Sequence, residues 1–392
     1  MINTGRMCSC FPRRGCLVRC GCIMIIPALL FWVFITLPPR PRMTSNGEYI
    51  LDDYTDESAL FVPAPMAPHR VFLVDNRRIS NKRYIAPQQQ QPQQHVEAET
   101  GPPVAKPMTM KQYGVKLDEP GICNGSVFLL VYVHTAPLHH KKRMLIRDTW
   151  GNPQNYPNTS VRLVFMLGKT SDKSTQDLVS LESERYRDIV QGDFLDTYRN
   201  LTYKAVMALG WVSKYCSHAA FVLKSDDDVL VNMFALIRHL KSMQRHGIGT
   251  QGLLLCNGWD NMKVIRTKNS KWYVSESEYR HNRYPSYCAG AAYVQSSDVI
   301  SAMYRATFEE PFFWIDDLYI TGLLAKRLGI KHQKFNSVYV LNPKAFLPRF
   351  GKHATLVFGH APNVNSIRII WNRLVKTEEN SRKRAAVEFK FL

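Results

Sequence analysis

"AAFVLKSDDDVLVNMFALIRHLKSM", residues 219–243, decides the fold class. Its first part, 219–226, is an apolar run of strand length that closes on three consecutive carboxylates, Asp226, Asp227 and Asp228. Its last part, 232–243, places apolar residues at helical intervals. The flanking sequence repeats this alternation. "VFLLVYVHT" (127–135) and "VRLVFMLG" (161–168) read as buried strands, and "TQDLVSLESERYRD" (175–188) and "NLTYKAVMALGWVSKYC" (200–216) as helices. Strands alternating with helices imply an α/β fold, a Rossmann-like, mostly parallel sheet with helices on both faces. In open sheets of this kind ligands bind beyond the carboxyl ends of the strands. The three Asp lie at such an end.

Adjacent carboxylates repel, so the cluster needs a reason. A hard divalent cation, Mg²⁺ or Mn²⁺, takes oxygen ligands, cancels the repulsion and can carry a diphosphate. A calcium loop starting at Asp226 would need Gly at position 6 and Glu at position 12, where Val231 and Ile237 stand. Two other readings stay open on these residues. One is a D-x-D phosphohydrolase, with Asp226 as nucleophile and Asp228 as general acid. The other is an acidic turn that caps the following helix.

The remaining sequence locates the domain. The chain has 392 residues and a net charge of +19. Residues 1–42 hold six Arg and no acid, and the rest still carries 45 basic against 32 acidic residues. That surplus favours anionic partners. The basic residues form only short blocks, "KKR" (141–143) and "RKR" (382–384), without a zinc-finger or RNA-binding signature, which speaks against nucleic acid. "CGCIMIIPALLFWVFITL" (20–37) is uncharged and just long enough to span a bilayer. Arg6, Arg13, Arg14 and Arg19 before it place residues 1–19 in the cytoplasm as the tail of an uncleaved signal anchor. Cys8, Cys10, Cys16, Cys20 and Cys22 are palmitoylation candidates there. Residues 38–120, rich in Pro and Gln, read as a flexible lumenal stem, leaving 121–392 as the lumenal catalytic domain. Asn124, Asn158 and Asn200 head N-x-[ST] sequons. Cys123, Cys216, Cys256 and Cys288 allow two disulfides in any of three pairings.

Five ordered motifs across roughly 121–375 resemble the β1,3-glycosyltransferase family, the galactosyl- and N-acetylglucosaminyltransferases with fringe proteins as distant relatives. They are "RMLIRDTWG" (143–151), "DFLDTYRNLTYKAV" (193–206), "KSDDDVLVN" (224–232), "RYPSYCAGAAYVQSSD" (283–298) and "WIDDLYITG" (314–322). "FGHAPNVNSIRIIWNRL" (358–374) is similar to the family's C-terminal stretch.

The resemblance implies a GT-A fold and an inverting, Mn²⁺-dependent hexosyltransferase in the Golgi membrane, single-pass type II. It would move galactose or N-acetylglucosamine from a UDP-sugar donor to a glycan acceptor on glycoprotein or glycolipid. It implies Asp226, Asp228 and His360 at the metal, with Asp227 helping to hold metal and nucleotide. Arg143, Arg147 and Lys204 become diphosphate or uridine contacts. The base that deprotonates the acceptor falls on Asp317, with Asp316 where the family has Glu and with Glu309 and Glu310 as neighbours. Trp314 is the candidate for stacking on a sugar. A lumenal binding protein of the same fold, without catalysis, is a further alternative.

Overall fold

The computed structural model describes residues 113–350, 353 and 355–388. In chain order the elements are β1 (Val115–Leu117), β2 (Leu129–His134), α1 (His140–Asp148), β3 (Val161–Lys169), α2 (Lys173–Tyr186), β4 (Ile189–Leu195), α3 (Leu201–Tyr215), β5 (Phe221–Asp226), β6 (Val229–Val231) and α4 (Met233–Arg245). Then follow β7 (Leu254–Trp259), β8 (Tyr287–Gln295), α5 (Ser297–Ala306), α6 (Asp316–Leu318), which runs through a π-helical turn (Tyr319–Leu324) into α7 (Ala325–Arg327), β9 (Gln333–Lys334), β10 (Tyr339–Val340), α8 (Phe346–Phe350), β11 (Phe358–His360) and α9 (Val364–Glu388).

Eight strands form one sheet in the order β1-β4-β3-β2-β5-β8-β7-β9. The run β4-β3-β2-β5 is parallel throughout. Beyond β5 the sheet changes sense: β8 is antiparallel to both β5 and β7. The sheet is therefore mixed, with four of its seven strand pairings parallel, and the change falls at the strand that carries Asp226. A small second sheet, β10-β11-β6, packs its strands beside the end of β5.

Helices cover both faces, and strand alternation sorts the core. Leu129, Val131 and Val133 of β2 face one side, with Leu145, Ile146, Val179, Leu236 and Trp371 from α1, α2, α4 and α9. Leu130 and Tyr132 face the other, with Ala208, Ile300 and Leu324 from α3, α5 and the π-turn. Both faces of β2 are apolar, which is why it reads as an unbroken hydrophobic run.

β1 lies within the stretch read as stem, and its antiparallel pairing to β4 makes it part of the folded domain before residue 121. It is a three-residue edge strand with little apolar content. The proposed anchor at 20–37 and most of the stem lie outside the described residues. Among the described residues no helix is long and apolar enough to cross a membrane.

The four cysteines pair as Cys123–Cys216 and Cys256–Cys288. The first links the start of the domain to the end of α3 across 93 residues, and the second joins the neighbouring strands β7 and β8. Asn124 and Asn158 are exposed, and Asn200 is half-buried with its amide donating to the Leu195 carbonyl. Replacing Cys123 and Cys216 by Ser is expected to cost roughly 4–5 kcal/mol of stability, from the chain entropy that the long loop restores to the unfolded state. Urea unfolding of the double variant checks this, and a loss under about 1 kcal/mol contradicts it.

Candidate active site

The three carboxylates have separate fates because successive side chains on an extended segment point opposite ways. Asp227 turns inward. It accepts from Thr135 Oγ1 at 2.6 Å, His139 Nδ1 at 2.7 Å and Lys142 Nζ at 2.8 Å. Burial alone would raise its pKa, but His139 and Lys142 outweigh that and hold it at about 2. With three donors in place, Asp227 fastens the start of α1 to the end of β5, and it is not left free to help hold metal or nucleotide.

Asp226 and Asp228 face the opening, each side chain about 40% exposed (39% and 41%). Burial, together with the charges of Asp228 and Asp316, raises Asp226 to about 7 against the opposing pull of Lys224. His360 reaches this point through sheet pairing, since β11 is antiparallel to β6 with His360 opposite Val229. Its Nε2 lies 3.7 Å from Asp228 Oδ2. That contact raises the His360 pKa above its ordinary value. Two carboxylates and one imidazole thus line one mouth. Among the described residues no group of three or more His, Cys, Asp or Glu is placed to hold a metal ion by itself.

Lys224 is the residue that the motif comparison overlooks. Two positions before Asp226 on the same face of β5, its ammonium is buried and donates to Asp226 Oδ1 and to the Gly290 carbonyl on β8. Gly290 in turn lies against Asp317: a Cβ built on it would stand 3.2 Å from both Cβ and Oδ2 of that residue. Asp316 and Asp317 begin α6, and Asp317 Oδ1 accepts the Leu318 N–H at 2.8 Å. Thr321 Oγ1 donates to the Asp317 carbonyl and accepts the Cys288 N–H, tying α6 to β8. Burial, then the charge of Asp316, push Asp317 up to about 7. The charge of Asp226 contributes to that rise. A lysine inside an apolar strand was the available signal for this bridge, since a buried ammonium requires a partner.

Four expected contacts are placed elsewhere. Arg143 is fully buried and spends its guanidinium on Glu182 and the carbonyls of Ala136 and Pro137. Arg147 pairs with Glu182 and Asp188 between the rings of Phe165 and Tyr186. Lys204 donates to the Thr135 carbonyl at 2.6 Å and to Asp196 at 2.9 Å. These cations hold α1, α2 and α3 to the sheet and have no free donor face for a diphosphate. Trp314 is buried, and the Arg199 guanidinium lies 3.7 Å over its ring, so that face cannot stack on a sugar. Glu309 and Glu310 pair with Arg327 and are not drawn into the site.

Acids and one imidazole gather at the sheet's change of sense, and sequence comparison gives the class. The Galactosyltransferase family model matches residues 141–336, half of the chain. The chain belongs to this family, and within it to the β1,3-glycosyltransferases. Beta-1,3-galactosyltransferase 5 of Pan troglodytes is 38% identical over 210 residues, covering 54% of this chain and 69% of that protein. Beta-1,3-galactosyltransferase 1 of Mus musculus is 32% identical over 274 residues, covering 68% and 80%. Among solved structures, the galactosyltransferase LgtC in complex with donor and acceptor sugar analogs has 10% identity and a TM-score of 0.33, covering 63% of this chain and 95% of that one. That likeness is too slight to bear on function.

Glu182, with burial opposed by Arg143, His140 and Arg147, is held down to about 2 from an ordinary 4.5. A depressed carboxylate stabilises the fold above its unfolded pKa, and that contribution disappears as pH falls through its folded value. Glu182→Gln is therefore expected to cost roughly 3 kcal/mol at pH 7, and the deficit against the unaltered protein should shrink between pH 4.5 and 2. Urea unfolding at pH 7 and pH 3 measures this; equal deficits at both would contradict it.

Proposed function

We propose that the protein is an inverting β1,3-galactosyltransferase of GT-A type, moving galactose from UDP-galactose to a glycan acceptor on glycoprotein or glycolipid. One observation carries the reading: Lys224 and Gly290 hold the Asp226 carboxylate and Asp317 at one opening, in a chain of the galactosyltransferase family. The donor sugar follows the names of the relatives, and N-acetylglucosamine is the second candidate. The uncharged apolar segment 20–37, read as a signal anchor, fits a type II Golgi location.

The donor set suits Mn²⁺. Burial and the like charges of Asp228 and Asp316 raise the Asp226 pKa, whereas at Asp228 burial is outweighed by His360, which holds it below its ordinary value. A hard cation relieves this, and an open shell of one or two carboxylates completed by phosphate oxygens is the usual arrangement for such ions. Asp226, Asp228 and His360 would hold it, and when bound it supplies a Lewis acid to charge developing on UDP. Asp317 takes the proton from the acceptor hydroxyl. A pKa near 7 fits that work, because a base must be ionised yet still able to accept a proton. Asp316 adds the charge that keeps the Asp317 pKa up. Asp227 stays ionised and structural.

Membership of the galactosyltransferase family favours sugar transfer over the phosphohydrolase reading. A binding protein without catalysis would have no use for a buried carboxylate poised near 7.

UDP release from the full-length chain, with UDP-galactose or UDP-N-acetylglucosamine and with or without Mn²⁺, tests the proposal. Asp317→Asn is expected to lower kcat by about 10³-fold while UDP affinity stays within about twofold. Persisting transfer would remove Asp317 as the base. Asp228→Ala is expected to weaken Mn²⁺-dependent UDP binding by at least about tenfold in calorimetry, and unchanged affinity would remove it as a ligand.

A further inference from the structure

We propose that the wall beside Asp316 and Asp317 is an acceptor subsite for an anionic glycan, with the Tyr198 ring as its platform and Arg199 and Lys271 as its cations. The inference rests on the reading that Asp317 faces the acceptor hydroxyl, and it adds the chemical class of that acceptor.

Tyr198 stands in the turn before α3 and is half exposed (49%). Burial raises the pKa of its hydroxyl, Trp272 is hydrogen-bonded to it, and the charges of Asp316, Asp317 and Asp226 reach it. Trp314, two residues ahead of Asp316, lies behind it with ring centroids 6.4 Å apart. The exposed aromatic face at the base is therefore that of Tyr198. An open ring beside a transfer site is a surface on which the apolar face of a sugar can lie.

Two cations frame this ring. The Arg199 guanidinium carbon sits 3.7 Å from the centre of the Trp314 ring. The Lys271 ammonium is 4.5 Å from the Trp272 ring and 5.8 Å from that of Tyr198. Both residues are exposed. Some exposed cations of the fold have acidic partners, Lys169 with Asp193, Arg327 with Glu309 and Glu310, and Lys334 with Asp260, while Arg185 and Lys214 also lie on a ring, away from the carboxylates of the site. Arg199 and Lys271 have only ring contacts among the described residues. The excursion 260–286 between β7 and β8, which carries Lys271, adds to the field with six Lys and Arg against three acids.

A charged side chain laid on a ring has already lost part of its rotamer freedom. Pairing it with an incoming carboxylate or sulfate then costs less entropy than ordering a free Lys or Arg. A neutral glycan gains only the ring, whereas an acidic one also gains two cations that have no paired acid and that offset the nearby carboxylates. The attraction is exposed and therefore screened by salt.

The test is binding of oligosaccharides to the full-length chain in the presence of UDP, by saturation-transfer NMR. Three ligands share one core and are neutral, uronate-bearing or sulphated. At least one acidic ligand is expected to bind about tenfold more tightly than the neutral one at low salt. Lys271→Glu, a surface change that should leave the melting temperature unaltered, is expected to bring that preference to within about twofold. The uronate and sulphate arms separate the two sources of anion. Equal binding of neutral and acidic ligands, no binding of either acidic ligand, or a preference unaffected by Lys271→Glu overturns the subsite. UDP-sugar transfer measured in parallel reports on the enzyme reading separately: transfer that persists without an acidic preference defeats the subsite alone.

Discussion

A single buried ammonium organises this molecule's chemistry. Lys224 lies on β5 in the middle of a sheet that is apolar on both faces, where an unpaired charge would be prohibitive. Its partners are the Asp226 carboxylate on its own strand and the Gly290 carbonyl on the next. It also lies within the field of Asp316 and Asp317, which help keep it charged. Four acids, Asp226, Asp228, Asp316 and Asp317, crowd one opening, and Lys224 is the buried positive charge beneath them. The contact can form only because the sheet changes sense here: β8 runs antiparallel to β5 and sets Tyr293 opposite Lys224, bringing the Gly290 backbone to the ammonium.

Around this centre the other strong ion pairs serve position rather than chemistry. Glu182 gathers Arg143, Arg147 and His140 and fixes α1 against α2. Asp196 and Lys204 fix α3 to the end of β2. Asp227 fixes the first turn of α1 to the end of β5. Each is a desolvated pair whose rupture would strand a buried charge, so each holds one geometry firmly. Together they explain how Asp226 and Asp228 can point outward as like charges from a backbone that does not yield.

Much of the fold was legible along the chain. The strands at 129–134, 161–169 and 221–226 and the helices at 173–186, 201–215 and 233–245 lie within two residues of their expected bounds, because long periodic runs report burial directly. β4 escaped because "IVQGDFL" has Gln, Gly and Asp among its apolar residues and follows a helix without a break. α1 escaped because its basic, weakly apolar sequence gains its place from Asp227 and Glu182 rather than from its own pattern. At the site, the residue types were legible and their duties were not. Arg143, Arg147, Lys204 and Asp227 have the chemistry to bind a nucleotide, but their hydrogen-bonding groups are spent within the protein.

The sequence by itself determined the α/β class, the family and the identity of the acids at the strand end, since these rest on local periodicity and on motifs of adjacent residues. The tertiary structure alone decided which acids face the opening, which cations are consumed and how the cysteines pair. It also decided that His360 lies beside Asp228 and that Asp317 lies against Gly290, the partner of Lys224. Local pattern records whether a residue is buried; it does not record which distant partner satisfies the charge or hydrogen bond that burial demands.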